Sequence, residues 1–354
     1  MTEYQSITRR RKSKVINIGG VIVGGEAPVS VQSMTKTDTR KVSETVAQIK
    51  ELAAAGCEII RCGVPDMEAA EALRQIKSQS PIPVIADIHF DYRLALTAIA
   101  SGVDGLRINP GNIGDAERVK QVVVAAKERQ VPIRIGVNGG SLPPDFEPMK
   151  PLHQRMVDSA MEQVRLLESL NFDLIKISLK AFDVPETVAA YRMISSMVDY
   201  PLHLGMTEAG TPRTGIIRSA VGIGALLAEG IGDTIRVSLS ANPREEIVAG
   251  YEILKSLDLR QRGAVLVSCP SCSRTEVDIV GLAERVGDAL LVIDKPIRVA
   301  VMGCAVNGPG EARDADVGIA CGKGQGILFR RGEKVRVVAE PEFFTALLNE
   351  LKNF

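Results

Sequence analysis

The sequence has no tryptophan, and aromatic residues make up only 4% of its 354 positions. Proteins that bind single-stranded nucleic acid stack its bases on aromatic side chains, so this chain has little material for such a surface. It also lacks an excess of either charge, because 43 lysines and arginines balance 43 aspartates and glutamates. Nucleic-acid binding requires a positively charged face, so we expect no nucleic-acid partner.

No apolar run approaches the roughly 20 residues that a membrane-spanning helix needs, so we expect no membrane partner. A basic cluster at residues 9–14 precedes no apolar segment of the secretory type, and we interpret it as a solvated arm. The six cysteines are too few and too unevenly spaced for a disulfide scaffold. These features predict a cytoplasmic protein whose cysteine pairs serve metal or redox chemistry.

Short apolar runs alternate with helical patterns from about residue 30 to 258, at a spacing near thirty residues. Eight such strand–helix units can be counted. Repeated βα units give parallel strands, and eight of them in this length favour a closed (β/α)8 TIM barrel. An open doubly wound sheet is the alternative, but no glycine-rich phosphate motif follows the first strand.

The pattern differs on both sides of the predicted barrel. Residues 15–25 indicate a hairpin that turns at a Gly-Gly pair. After residue 262 a strand runs into a cysteine pair, followed by a helix, a second strand, a glycine-rich stretch to residue 326, a polar hairpin and a last helix. We therefore predict two domains, a substrate-binding TIM barrel over residues 1–260 and a smaller α+β domain over residues 261–354.

Polar side chains occupy one face of the predicted barrel strands, towards their carboxyl ends. Residues two apart on a strand share a face, and the inward face of a barrel is normally filled by Val, Ile and Leu. The polar residues on this inward face, or at the end of a strand next to it, are Arg61, Asp87, His89, Arg107, Asn109, Arg134, Asn138, Lys176, Ser178, Lys180, Glu208, Arg236, Ser238 and Ser240.

Two interpretations of this polar set remain open. Several arginines and a lysine that converge at the barrel mouth suit a phosphate or diphosphate, because guanidinium N–H groups match phosphate oxygens. Alternatively, the arginines pair with Asp87 and Glu208 in an internal salt-bridge network, since buried charges need partners. A structural role explains His89 as well as a catalytic one does, and Lys176 can instead face the helices.

The cysteines of the C-terminal part form a second candidate site. Cys269 and Cys272 make a C-x2-C pair, and Cys304 follows after 31 intervening residues on a Gly/Pro-rich loop that also contains Glu311. A structural zinc site with Cys321 as fourth ligand and an iron–sulfur cluster both fit this spacing. Free thiols are the third possibility.

Six long motifs closely resemble those of the 4-hydroxy-3-methylbut-2-enyl diphosphate synthase family, in its short bacterial form. They are QSMTKTDT, RINPGNIG, RIGVNGGSL, GMTEAGTPRTG, SCPSCSRTEVDI and MGCAVNGPGEARDADVGIA, in that order along essentially the whole chain. The resemblance implies an iron–sulfur oxidoreductase of the non-mevalonate isoprenoid pathway. Such an enzyme opens and dehydrates 2-C-methyl-D-erythritol 2,4-cyclodiphosphate with two electrons, giving 4-hydroxy-3-methylbut-2-enyl diphosphate.

The same resemblance implies the roles of individual residues. A [4Fe-4S] cluster would be bound by Cys269, Cys272, Cys304 and Glu311. The cyclic diphosphate would be bound by Arg61, Arg107, Asn109, Arg134, Asn138, Lys180, Arg236 and Ser238. The residues implied near the reacting carbons are Glu208, His89 and Asp87. Glu208 is the first candidate for the group that supplies the proton, and His89 is the second.

Two kinds of partner are implied as well: flavodoxin or ferredoxin as electron donor, and a second copy of the chain in a head-to-tail homodimer. Element spacing supports the dimer separately, because only about five residues link the last barrel helix to the strand near residue 264. That link spans at most about 18 Å, whereas a barrel with its helices is roughly 30 Å across. The C-terminal domain would therefore meet the partner's barrel mouth.

The residues alone leave two other functions open. One is a zinc-stabilised barrel that senses a phosphorylated metabolite, and the other is a pterin- or phosphosugar-binding barrel lyase with a structural zinc. The iron, sulfide and zinc contents of protein purified without oxygen distinguish these functions from the iron–sulfur enzyme.

Overall fold

The structure, a computed structural model, describes residues 10–108, 115–142, 149–304 and 312–353. The chain divides between Arg260 and Gln261 into two compact units. None of the described helices combines the length and the apolar character that crossing a membrane requires.

A β-hairpin precedes the barrel, as predicted. Its strands are β1 (Ile16–Ile18) and β2 (Val21–Val23). Gly19 and Gly20 join them with φ angles of 55° and 100°, and two-residue hairpin turns favour glycine because they need such positive values. The apolar side of the hairpin packs against Ile59 and Ile85, near the amino ends of two barrel strands. The hairpin therefore covers the bottom of the barrel.

Eight parallel strands in the described part of the first unit form the barrel. They are β3 (Ser30–Met34), β4 (Ile59–Gly63), β5 (Val84–Asp87), β6 (Gly105–Ile108), β7 (Ile133–Asn138), β8 (Ile175–Lys180), β9 (His203–Leu204) and β10 (Thr234–Ile235). Strands β3 to β8 pair in sequence order, and β10 pairs with both β9 and β3. A parallel bridge between Ile177 and Leu202 closes the ring. The TIM-barrel prediction is confirmed.

Helices follow the strands around the outside of the barrel. They are α1 (Val42–Ala54), α2 (Met67–Gln79), α3 (Tyr92–Ala100), α4 (Ala116–Glu128), α5 (Leu152–Ser169), α6 (Val184–Met197), α7 (Pro212–Ala228) and α8 (Pro243–Ser256). Several begin at a side chain that accepts a hydrogen bond from a backbone N–H of the first turn, as Asp66 does for α2 and Asn242 for α8. Such caps stabilise helix starts, and the start of α8 places Glu246 in its first turn.

The second unit is built on a five-stranded mixed sheet. Its elements are β11 (Val265–Ser268), α9 (Ile279–Leu290), β12 (Arg298–Met302), β13 (Val317–Gly322), β14 (Gln325–Arg330), β15 (Glu333–Ala339) and α10 (Phe343–Leu351). Strands β11 to β13 are parallel, and β13 to β15 are antiparallel. Val286 of α9 and Leu347 of α10 are buried in the core on one face of the sheet.

Three strands differ from the sequence prediction, each beside a glycine. Strand β13 lies inside the stretch assigned to a glycine-rich loop, and its Gly318 leaves space for Phe329, since a Cβ there would lie 2.4 Å from the ring. Strands β9 and β10 have two residues each, far fewer than the apolar runs 202–208 and 234–240 indicated. Gly205 directly follows β9, where a Cβ would lie 2.6 Å from the carbonyl oxygen of Arg236.

The prediction of a solvated arm is wrong for Arg10 and Arg11 of the basic cluster, which are bound to the barrel, whereas Lys12 and Lys14 are exposed. Arg10 and Arg11 lie 3.0 and 3.9 Å from the carboxylate oxygens of buried Asp233. The Arg11 guanidinium also donates hydrogen bonds to the carbonyl oxygens of Val198 and Tyr200. These contacts fix the segment to the barrel, and no local pattern marks them because the acceptors lie about 190–220 positions away.

Candidate active site

Charged side chains line the barrel interior towards the carboxyl ends of its strands. Strands β5 to β8 bring Asp87, Arg107, Arg134 and Lys176 into register on neighbouring strands. None of the four is more than 7% exposed. Ile175, next to Lys176, packs in the core on the helix side, so Lys176 faces the interior with the arginines.

Asp87 is the carboxylate of one half of this site. Its Oδ1 lies 3.1 Å from Arg107 Nη1, and its Oδ2 lies 3.4 Å from Arg61 Nε. Burial by itself raises the pKa of Asp87, but the positive charges of Arg61, Arg107 and Arg134 outweigh it and lower the pKa to about 2. Asp87 is therefore ionised at neutral pH and supplies one negative charge against two adjacent arginines.

His89 lies beside the Asp87–Arg107 pair, at a more exposed position. Its ring nitrogens are 3.1 and 3.2 Å from Arg107 Nη1, and its Nε2 is 3.7 Å from Asp87 Oδ1. Burial and the neighbouring Arg107 and Arg61 lower its pKa despite the opposing effect of Asp87. The imidazole is therefore neutral near pH 7, where it can accept a hydrogen bond from Arg107.

A second buried carboxylate, Glu246 of α8, occupies the other half. Its Oε2 lies 3.5 Å from Arg236 Nη2, and its Oε1 lies 3.7 Å from Lys36 Nζ. Neither Glu246 nor Lys36 is among the residues predicted from the sequence. Parity applies to strands only, and an acidic residue in the first turn of a helix is too common to single out.

Three interior cations have no carboxylate of their own. Arg134, Lys176 and Lys180 make no ion pair within the described ranges, and buried nitrogens of Arg134 and Lys176 have no hydrogen-bond partner there. Burial, reinforced by neighbouring cations, lowers the pKa of Lys176 to about 7 and those of Arg134 and Lys180 well below their usual values. Buried charge without a partner is costly, so this interior favours a multiply charged anion.

Two glycines make the space that these cations occupy. A Cβ at Gly136 would lie 2.8 Å from Arg107 Nε, and a Cβ at Gly205 would lie 2.6 Å from Lys180 Nζ. Both distances are shorter than carbon and nitrogen atoms tolerate without a bond. The backbone of β7 and the residue after β9 are therefore shaped around Arg107 and Lys180.

The remaining predicted binding residues lie at the rim or outside the described ranges. Asn138 is the last residue of β7 and is paired in register with Lys180. Ser238 is partly buried two positions after Arg236, in the stretch that follows β10. Asn109 belongs to residues 109–114, which the structure does not describe.

Glu208 differs from the expectation that it ends a strand. Strand β9 ends at Leu204, and Glu208 is an exposed residue of the loop that follows. Within the described residues Glu208 makes no ion pair, so the alternative salt-bridge network includes Asp87 but not Glu208. Its φ of 55° lies in the left-handed region that favours glycine, and such strain is concentrated at functional sites.

The cysteines of the second unit follow its parallel strands. Cys269 comes directly after β11, and Cys304 comes two residues after β12. The backbone N–H of Gly303 donates a hydrogen bond to Cys269 Sγ at 3.2 Å. Hydrogen bonds from Arg274, the backbone N–H foremost, lower the pKa of exposed Cys272. Amide donors of this kind stabilise thiolates, and thiolates are the ligands of iron–sulfur clusters.

Cys321 lies in a different environment. Its side chain is fully buried in the apolar core beside α9 and α10, and burial raises its pKa to about 12. A thiol held neutral in this way is a poor metal ligand. Within the described ranges, no three His, Cys, Asp or Glu side chains converge closely enough to hold a metal ion, and Glu311 lies outside those ranges.

Family models match both units of the chain. The GcpE TIM-barrel domain matches residues 13–251, and the GcpE protein C-terminal domain matches residues 265–353. The chain belongs to the GcpE family. The two GcpE matches fall on either side of the division between the compact units at Arg260.

Curated relatives match this GcpE chain over nearly its whole length. The 4-hydroxy-3-methylbut-2-en-1-yl diphosphate synthase (flavodoxin) of Dehalococcoides mccartyi strain CBDB1 is 67% identical over 342 residues, which are 97% of this chain and 98% of that protein. The protein of the same name from Geobacter sulfurreducens is 60% identical over 345 residues, with the same two coverages. The one from Clostridium perfringens is 53% identical over 341 residues, covering 96% of this chain and 98% of that protein.

Solved structures of more distant proteins share the barrel. Dihydropteroate synthase from Stenotrophomonas maltophilia aligns with a TM-score of 0.52 at 14% identity, over 70% of this chain and 97% of its own. The Yersinia pestis enzyme aligns with a TM-score of 0.52 at 11% identity, over 69% of this chain and 98% of its own. At such low identity the likeness shows the fold alone.

Proposed function

We propose that this GcpE chain, an oxidoreductase of isoprenoid precursor biosynthesis, binds the diphosphate of its substrate in the barrel interior. The reaction is the reductive ring opening and dehydration of 2-C-methyl-D-erythritol 2,4-cyclodiphosphate to 4-hydroxy-3-methylbut-2-enyl diphosphate. The excess of buried cations carries the proposal, because Arg134, Lys176 and Lys180 have no carboxylate partner within the described ranges. The pterin-binding alternative has no comparable support, since the likeness to dihydropteroate synthases concerns the fold only.

The cations of the proposed diphosphate site are of two kinds, those without a carboxylate partner and those held by one. Arg134 and Lys180 make no ion pair within the described ranges, and an anion bound beside them would favour their charged forms. Arg107 and Arg236 are each held by a carboxylate on one guanidinium nitrogen, and each has a buried Nε without a hydrogen-bond partner among the described residues. Such preorganised donors bind a phosphate oxygen without first losing side-chain freedom. Arg61, Asn138, Ser238 and Asn109 complete the proposed set.

Removing one of these arginines should weaken substrate binding. Truncating one member of a buried charge pair costs about 2–5 kcal/mol, so Arg107→Ala and Arg236→Ala should each raise the Kd by more than about tenfold. Isothermal titration of the cyclic diphosphate into protein purified without oxygen measures this change. Arg129→Ala is the control, because Arg129 donates to the carbonyl oxygen of Ile99 in the last turn of α3, outside the barrel interior.

Iron content should be the same in all three variants, since none of them touches a cysteine. Unchanged affinity in both Arg107→Ala and Arg236→Ala would contradict the diphosphate site. It would instead make these arginines members of a salt-bridge network that serves the fold.

We also propose that a [4Fe-4S] cluster is bound by Cys269, Cys272, Cys304 and Glu311. When bound, a cluster of this kind supplies electrons one at a time and an iron that can act as a Lewis acid. The chain contributes donors to the thiolates, from the N–H of Gly303 to Cys269 and from Arg274 to Cys272. The relatives' names specify flavodoxin, which is therefore the proposed electron donor, with ferredoxin as the alternative.

Glu208 is the proposed source of the proton that the departing oxygen needs to leave as water. Its exposure and strained backbone suit a group that contacts a ligand, and the described structure gives its carboxylate no ion-pair partner in the fold. His89 remains the second candidate, and Asp87 serves the reaction by holding Arg107 and Arg61 in place.

Glu208→Gln should therefore lower kcat by about a hundredfold or more while leaving the Kd for the cyclic diphosphate and the melting temperature almost unchanged. Steady-state kinetics with a chemical reductant, titration calorimetry and thermal unfolding measure the three quantities. Glu229→Gln is the control, because Glu229 is a surface carboxylate that pairs with Arg192. A fall in melting temperature as severe as the fall in activity would show that Glu208 is a structural residue.

The place where the chain leaves the barrel supports an active site shared between two subunits. Arg260, the last residue of the first unit, donates to the carbonyl oxygen of Val29 and pairs with Glu58 at 3.0 Å. Val29 and Glu58 directly precede β3 and β4, so the chain leaves at the bottom of the barrel, opposite the mouth. Strand β11 begins about five residues later, and such a link reaches at most about 18 Å. We infer a head-to-tail homodimer in which the cysteines of one chain serve the barrel of the other.

A further inference from the structure

The carboxylate of Glu246 is fixed by hydrogen bonds on both of its oxygens. Oε1 accepts from the backbone N–H of Leu239 at 3.0 Å, and Oε2 lies 3.3 Å from the hydroxyl oxygen of Ser33, which donates to it. The residue is 2% exposed. A buried carboxylate held in this way cannot rotate freely, so its direction towards Arg236 is set by the fold.

Arg236 is the cation that this carboxylate directs. Its Nη2 lies 3.5 Å from Glu246 Oε2, its side chain is 13% exposed, and its buried Nε has no hydrogen-bond partner among the described residues. A guanidinium group is planar, so an ion pair at Nη2 limits the directions in which the other N–H groups can point. The pairing therefore leaves the Nε and Nη1 donors without a protein acceptor in the described part of the chain.

Lys36 links the same carboxylate to the backbone where the barrel closes, between strands β3 and β10. Its Nζ donates to the carbonyl oxygens of Leu239 and Ala241 and lies 3.7 Å from Glu246 Oε1. The two carbonyl oxygens and the carboxylate occupy the N–H groups of the ammonium, which has three. Lys36 therefore has no N–H group to spare for a ligand. Of the two described cations within ion-pair distance of Glu246, Arg236 is therefore the one placed to act on a substrate.

We propose that Glu246 is a positioning residue for diphosphate binding, which it serves by holding the guanidinium of Arg236 at the barrel mouth. Glu246 plays the part on this side of the barrel that Asp87 plays for Arg107 and Arg61 on the other side. It does not itself contact the substrate. The inference rests on the proposed diphosphate site.

A double-mutant cycle tests whether Glu246 acts through Arg236. Titration calorimetry of the cyclic diphosphate is carried out on the full-length protein, purified without oxygen, with Glu246→Gln, Arg236→Ala and the double variant. Because the substitution removes the charge that holds the guanidinium of Arg236, we expect Glu246→Gln to raise the Kd by about tenfold. In the Arg236→Ala background the same substitution should change the Kd by less than about twofold, since its effect is already lost.

Glu58→Gln is the matched control, because Glu58 also pairs with an arginine and accepts a backbone N–H, at the opposite end of the barrel. It should lower the melting temperature and leave the Kd unchanged.

Two further variants test the role of the Glu246 carboxylate. Glu246→Asp retains the charge and should restore part of the affinity that Glu246→Gln loses. If Glu246→Gln does not fold, Ser33→Ala takes its place, because it removes one hydrogen bond to the same carboxylate. Ser33→Ala should raise the Kd by less than Glu246→Gln would. This increase should be absent in the Arg236→Ala background.

Two outcomes overturn the inference without touching the proposed function. One is an unchanged Kd in Glu246→Gln while Arg236→Ala weakens binding, and the other is an equal loss of affinity in both Arg236 backgrounds. The second result would mean that Glu246 supports the closure of the barrel between β3 and β10 and not the guanidinium. Full affinity in Arg236→Ala alone would overturn this inference together with the proposed role of Arg236. Failure of the unaltered protein to bind the cyclic diphosphate, or full affinity in both Arg107→Ala and Arg236→Ala, would overturn the whole diphosphate site and this inference with it.

Discussion

Cys304→Ser is expected to remove bound iron and to abolish turnover. Cys304 follows β12 as Cys269 follows β11, so both thiols lie near the same edge of the parallel part of the sheet. A serine hydroxyl is not deprotonated at neutral pH and does not replace a thiolate on iron. Iron and sulfide per chain, together with the visible sulfide-to-iron absorbance, measure the loss directly and without an activity assay.

Cys321→Ser is the matched control for this experiment. Cys321 belongs to the same unit and the same sheet, but it is fully buried among apolar side chains, where its pKa is raised to about 12. We expect full iron content in this variant and at most a lower melting temperature. Loss of iron in Cys321→Ser with normal iron in Glu311→Ala would show that the fourth ligand has been assigned wrongly.

The barrel could be predicted from the sequence because each βα unit carries its own signal. The alternation of apolar runs and helical patterns depends on residues close together in the chain, and it predicts the strands β3 to β8 correctly. The short lengths of β9 and β10, and the existence of β13, are not predicted by the sequence, for the opposite reason. Their limits depend on close packing at Gly205 and Gly318, against side chains distant in sequence.

The same distinction separates the site residues that the sequence revealed from those it did not. Parity along a strand is a local property, and it predicts correctly that Arg107, Arg134 and Lys180 are interior residues. The ion pair of Glu246 with Lys36 joins residues about 210 positions apart. No pattern in the sequence marks such a pair, because each partner looks like an ordinary surface charge until the barrel closes.

The loop position of Glu208 shows a further limit of sequence patterns. The apolar run 202–208 indicated a strand that ends at this residue, whereas strand pairing stops at Leu204 and the backbone turns into a left-handed conformation at Glu208. A non-glycine residue with positive φ is not visible in the sequence, since the strain is sustained by the surrounding structure. The family resemblance implies Glu208 as the candidate proton donor, whereas its loop position and backbone conformation come from the structure alone.

Mixing two inactive variants is expected to restore activity if active sites are shared between subunits. Glu208→Gln disables the barrel and leaves the cysteines intact, and Cys304→Ser does the reverse. After subunit exchange about half of the dimers should contain one chain of each kind, and in each mixed dimer one of the two sites has both an intact barrel and an intact set of cysteines. Activity should then recover to about a quarter of that of the unaltered protein.

The expectation follows from where the first unit ends. Arg260 is bound at the bottom of the barrel by Val29 and Glu58, and the link to Val265 reaches at most about 18 Å, less than the roughly 30 Å across a barrel with its helices. The control is each variant taken alone through the same exchange procedure, which should give no activity. Mass measurement verifies that mixed dimers have formed in the mixture. Mixed dimers without activity would mean that each chain completes its own site, which would contradict the inference from the link. Recovery to near a quarter would leave a site made by two chains as the simplest arrangement that satisfies both the link length and the activity.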